Sequence, residues 1–75
     1  MKIRIKQLLN EMVEGQREKV LCCGRHFIPT LTLEDVLQPN DYPELEHNPH
    51  FRYEEGVLDG LQTMRAALLT LFNEE

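Results

Sequence analysis

Only two cysteines occur in this chain of 75 residues, and they stand side by side as Cys22 and Cys23. Neighbours in sequence cannot tie distant parts of a fold together, so a disulfide-stapled scaffold is excluded. Long apolar runs are missing too. The longest stretch of membrane-like character, Ala66 to Phe72, is far short of the roughly 20 residues a spanning helix needs. Basic residues are scarce, at 8 Lys and Arg against 13 Asp and Glu, for a net charge of -5. That deficit argues against nucleic acid or an anionic membrane as the main partner, since both call for a basic face. The single basic cluster, Lys2, Arg4 and Lys6, reads as a solvated helix end. The N-terminus lacks the unbroken apolar core of a signal peptide, because Lys6, Asn10, Glu11 and Glu14 interrupt it. These absences place the chain in the cytoplasm.

What is present is a globular composition. Hydrophobic residues make up 41% and charged residues 28%, with no low-complexity segment, a balance that favours folding over disorder. Neither an internal repeat nor a domain boundary interrupts residues 1–75, which form one small helical domain. A domain this short hides only about 60% of the surface its unfolded chain exposes, so its own core is marginal and some further stabilising device is expected.

Along the chain, Ile5, Leu8, Leu9, Met12, Val13, Val20 and Cys23 recur at helical spacing. They predict one helix from about residue 4 to Cys23, weakest at Gly15, with Gly24 as a left-handed cap and Arg17, Lys19 and Arg25 near its negative end. Residues 19–30 have a second reading, two strands KVLCC and HFIPT joined by Gly24-Arg25. Pro29 ends whatever precedes it. In LTLEDVLQP, Thr32 and Asp35 are spaced to cap a short helix reciprocally, Leu31 can staple onto Val36, and Pro39 closes the element. NDYPELEHNP follows as a Pro-rich connector packed through Tyr42 and Leu45. Asn48-Pro49 then opens a long helix running to about Phe72. The expected fold is therefore mainly α, a small hairpin of long N-terminal and C-terminal helices with a short middle helix.

The last helix carries two glycines four positions apart, although each costs a helix roughly 1 kcal/mol against alanine. Val57, Leu61, Met64, Leu68 and Leu71 repeat at four- and three-residue steps, the rhythm of a helix-packing seam. Beside them run Gly56, Gly60, Thr63, Ala67 and Thr70, all small or short, and a row without bulk lets another backbone approach. Leu58, Leu69 and Phe72 lie on the other flank, so the helix is apolar over more than one stripe and one neighbour cannot cover it. The first helix covers one side, while Phe27, Ile28, Tyr42 and Phe51 are the residues that would complete a core within the chain. The surface left over predicts a homodimer, or docking onto another protein, through Gly56, Val57, Gly60, Leu61, Met64, Ala67, Leu68 and Leu71.

Candidates for chemistry are sparse. Cys22, Cys23, His26, His47 and His50 supply Cys-x2-His and His-x2-His spacings from which zinc could take ligands, and a small zinc protein is the alternative reading. Adjacent cysteines on a helix point apart, however, and a buried free cysteine is an ordinary small hydrophobe. Glu44 and His47 form a Glu-x2-His unit that has no second copy. Arg52 is placed to pair with Glu55, and Glu55 and Asp59 to share a face. Glu54, Glu55 and His50 would be the first residues to test for acid–base work. With neither a phosphate-binding glycine loop nor a nucleophile elbow, the expected role is an interaction module rather than an enzyme, with no cofactor.

Overall fold

In a computed structural model, which describes residues 1–36 and 42–74, the order of elements is α1 (Lys2–Arg25), α2 (Leu33–Val36), α3 (Pro43–Glu46) and α4 (Pro49–Glu74). No strand occurs among the described residues, and α1 and α4 pack antiparallel as a hairpin 44 Å long. Residues 19–25 are helical, which settles the choice between helix and β-hairpin there.

The end of α1 departs from expectation in an instructive way. Gly24 is no left-handed cap: no residue described has positive φ, and the helix runs one residue further to Arg25, with His26 at its C-cap in right-handed geometry. The chain is turned instead by hydrogen bonds from the His26 N–H to the Cys23 carbonyl, from the Phe27 and Ile28 N–H groups to the Gly24 carbonyl, and from Arg25 Nε to the Leu31 carbonyl at 2.8 Å. Gly24 is there for close approach. A Cβ at this position would fall inside the envelope of Leu31 Cδ2 and lie 3.3 Å from Phe51 Cε2.

Gly24→Ala therefore sets a helix gain of about 1 kcal/mol against an overpacking cost of about 1–3 kcal/mol, because Leu31 is wholly buried and has little room to retreat. The expected outcome is a net loss in urea denaturation. Gly15→Ala is the contrast: nothing lies within 4 Å of Gly15, and that variant should gain stability by up to about 1 kcal/mol. Equal shifts for the two variants would contradict the packing described at Gly24.

The starts of α2 and α4 follow the local sequence. The Thr32 N–H donates to Asp35 Oδ2 at 3.1 Å and the Asp35 N–H to Thr32 Oγ1 at 3.3 Å, the reciprocal cap expected of this spacing. The Thr32 backbone N–H, with the Thr32 side chain next, holds the Asp35 carboxyl below its ordinary range. Asn48 Oδ1 accepts from the Phe51 N–H at 2.9 Å and caps α4. Pro39 lies outside the described residues. The connector is more ordered than its prolines suggested, since Pro43 sits at the first position of the one-turn helix α3.

The core gathers where the connector folds back over the hairpin. Val13, Val20, Leu31, Val36, Leu45, Phe51 and Leu58 are buried together, with Ile28 and Tyr42 packed against them half-buried. Leu31 and Val36 thus share the cluster that the staple reading implied, and Leu45 and Tyr42 anchor the connector. Phe27 does not join them. It is 47% exposed, because the turn after Arg25 directs it away from Leu31.

Candidate interaction surface

The face that α4 turns toward α1 begins with the buried Phe51 and Leu58 and continues through the half-buried Leu61, Leu69 and Phe72. Opposite them stand Leu9, Val13, Gln16 and Val20 of α1. One polar tie crosses this seam: Gln16 Nε2 donates to the Glu54 carbonyl at 2.9 Å and to Glu54 Oε2 at 3.0 Å. Toward the open end Arg65 reaches Asn10 at 3.2 Å, and Lys2 and Lys6 hold their ammonium groups 6.0 Å and 5.9 Å from the Phe72 ring centroid. Those two lysines therefore lie against an aromatic face instead of simply solvating a helix end.

With α1 on this flank, the row of small residues is left facing outward. Gly56, Gly60 and Ala67 are exposed, and nothing in the chain lies within 4 Å of where a Cβ would stand on either glycine. Met64 and Leu71 are exposed, while Val57, Leu61 and Leu68 are half-buried along the edge of the seam. The first helix thus packs beside the groove and leaves it empty. Of the eight residues singled out in the sequence, Gly56, Gly60, Met64, Ala67 and Leu71 are open, Val57 and Leu68 are half-buried at the edge, and Leu61 packs against the core.

The cysteine and histidine set is not assembled. Cys22, His26, His47 and His50 are exposed, Cys23 is half-buried, and no group of three His, Cys, Asp or Glu side chains able to hold a metal occurs among the described residues. The reason is local. Cys22 and Cys23 diverge on consecutive positions of α1, His26 Nδ1 lies 2.9 Å from the Cys22 carbonyl, and His47 and His50 belong to separate helix ends. Burial, with the charges of Glu54 and Cys22 adding to it, pushes the Cys23 thiol up and so disfavours the thiolate that a metal or an electrophile would need.

The carboxylates proposed for acid–base work have structural partners. Glu54 accepts from Gln16, and Glu55 pairs with Arg52 at 2.7 Å, as the three-residue spacing suggested. Glu55 and Asp59 do share a face, where with Arg17, Glu34, Val36 and Leu58 they line an open groove of about 460 Å³ beside α2. Sequence reasoning placed Leu8 and Met12 in the apolar row of α1, and the fold leaves both outside the core. Leu8 and Met12 are half-exposed apolar side chains one turn apart, and the signal was their position one step off the Leu9–Val13 seam.

Comparison with family models, curated proteins and solved structures finds no match for this chain.

Proposed function

We propose that this chain is a small cytoplasmic protein–protein interaction module, binding rather than catalytic, that works through the outward strip of α4. The observation that carries this reading is the state of its glycines. Two of them in the middle of a long helix cost roughly 1 kcal/mol each, and nothing inside the chain approaches closely enough to use the space. A cost without an internal return is accounted for if a neighbouring backbone lies against Gly56 and Gly60 and packs onto Val57, Leu61, Met64, Ala67, Leu68 and Leu71. The exposed Met64 and Leu71 fit such a surface, since bulky apolar groups at the centre of a patch contribute most when a partner desolvates them. Two free, adjacent thiols suit a reducing compartment.

Gly60→Leu tests the reading. The substitution should leave helicity intact or raised, because the position is open and leucine is the better helix former. Association, read by native mass spectrometry and sedimentation, should weaken by about tenfold or more, a loss of roughly 1.4 kcal/mol. A variant that remains assembled as tightly as the parent would remove α4's strip from consideration.

A further inference from the structure

We propose that the partner seated on this surface is a second copy of the chain, with two hairpins closing face to face into a four-helix bundle in which α1 of each copy lies along α4 of the other. This rests on the reading of α4's strip as an interaction surface. It adds the occupant of that surface and a role for α1.

The hairpin is built in two unlike halves. At one end the connector supplies a third layer over Val13, Val20 and Phe51. At the other, residues 2–12 of α1 and the last dozen of α4 form a bare two-helix arm, where Leu9 is the one buried apolar side chain among the described residues. Large apolar groups stand open along this arm: Leu8 at 56% exposure and Met12 at 45% on α1, Met64 at 55% and Leu71 at 49% on α4. At 100° per residue in an antiparallel pair, all four fall on one side of the hairpin. Asn10, Arg17, Glu55 and Asp59 fall on the opposite side, where α2 packs.

The area matches what a dimer needs. A folded monomer of 8.8 kDa should expose about 4,800 Å². This chain exposes 5489 Å². The excess, about 700 Å², is close to the roughly 800 Å² that each partner contributes to a stable interface of ordinary size. Charge selects the same occupant. Two copies at a net charge of -5 repel over most of their surface, yet the centre of this face is uncharged: one turn from Met12 stand Leu8, Leu9, Gly15 and Gln16, and one turn from Met64 stand Gly60, Leu61, Ala67 and Leu68, while the charges beside Leu8 and Leu71 are Arg4, Glu11 and Glu74. A second copy can cover it without setting like charges together.

Shape then fixes how the copies stack. The Gln16–Glu54 and Asn10–Arg65 contacts put Met12 level with the stretch between Gly60 and Met64, and Leu8 level with Ala67. A two-fold axis parallel to the helices preserves these levels and sets the long side chains of α1 over the small ones of the partner's α4. Stacking α4 on α4 would bring gap against gap. The arrangement makes every neighbouring pair of helices antiparallel around one core.

The test uses the full chain. Native mass spectrometry at micromolar concentration should give twice 8.8 kDa, and Leu8→Glu with Met12→Glu, both at open positions, should weaken the dimer by about tenfold or more without loss of helicity. In a Cys22→Ser, Cys23→Ser background, Met12→Cys mixed with Gly60→Cys should yield a disulfide-linked pair on oxidation, while neither alone should, since bridging needs Cα atoms within about 7 Å. A monomer at every concentration overturns the second copy as occupant, and leaves the α4 strip to be judged by whether Gly60→Leu affects docking onto another protein. A dimer in which Gly60→Cys alone cross-links overturns the stacking of α1 on α4 but keeps the strip. A dimer untouched by Gly60→Leu and by the Leu8 and Met12 changes overturns both.

Discussion

Phe51→Ala should lower the stability of this chain by about 3–5 kcal/mol, the cost of emptying an aromatic site in a core that relaxes only in part. Phe51 is wholly buried in the first turn of α4, it shares a cluster with Leu31, Leu45 and Val20, and its ring edge is what Gly24 of α1 makes room for. It thus joins the connector, α1 and α4 at a single point. A domain of this length has roughly 4–11 kcal/mol in all, so the variant should be largely unfolded at modest urea concentrations. The check is urea denaturation followed by helical circular dichroism at fixed protein concentration, with the midpoint falling and the slope unchanged. Phe27→Ala is the control. Its ring is half exposed, and the loss should stay under about 1 kcal/mol. Similar losses at the two positions would contradict a core centred on Phe51.

The contrast between those two phenylalanines also marks how far the sequence could be read. The two long helices, α2 and the starts of α2 and α4 were legible because they are written in adjacent residues, whereas the single turn α3 was read as connector. Thr32 with Asp35, and Asn48 before Pro49, specify caps whose partners lie within three positions, and both caps form. Phe27 and Phe51 look alike at that range. What separates them is the turn after Arg25, held by the bond from Arg25 Nε to the Leu31 carbonyl, and no local pattern announces it. Gly24 was misread for the same reason: a glycine near a helix end is usually needed for its φ, whereas here it is needed for the space that Leu31 and Phe51 occupy.

The strip on α4 was partly legible. Its three–four spacing and its small residues are local, and of the eight residues they singled out Gly56, Gly60, Met64, Ala67 and Leu71 lie exposed, whereas Val57 and Leu68 are half-buried and Leu61 packs against the core. Which apolar row α1 would take was not fixed by periodicity, because Leu61 and Leu68 belong to two overlapping seams, one continuing to Met64 and Leu71 and the other to Leu58, Leu69 and Phe72. The choice falls on the second, whose upstream end is Phe51 and which carries Glu54 to face Gln16. The loose zinc spacing failed on distance. Ligands read from sequence must also be brought together by the fold, and here the two cysteines and His26 at the end of α1, His47 at the end of α3 and His50 at the start of α4 form no group of three able to hold a metal among the described residues.

The tie between Gln16 and Glu54 leads to the second large effect. Gln16 is the one polar side chain buried in the α1–α4 seam among the described residues, and its amide donates to both a carbonyl and a carboxylate oxygen of Glu54. Gln16→Glu removes those donors and sets a second carboxylate against the first. The lost hydrogen bonds to a charged group account for about 1.5–3 kcal/mol, and the repulsion of like charges near a protein surface adds to that, so a loss of about 2–4 kcal/mol is expected at pH 7. The pH dependence follows in sign. A carboxyl held beside a carboxylate has a folded pKa above its unfolded value of about 4.3, so the variant's fold is favoured while that group is protonated, and the advantage is lost as pH rises through the folded value. The deficit relative to the parent should therefore be small near pH 4 and grow toward pH 7, measured as the difference between the two proteins at each pH. Gln16→Leu should lose much less, since an apolar group fills the seam without repelling Glu54, but it gives up the one polar contact that holds position 16 opposite position 54. A Gln16→Glu deficit that does not change with pH would show that the two side chains do not meet across the hairpin.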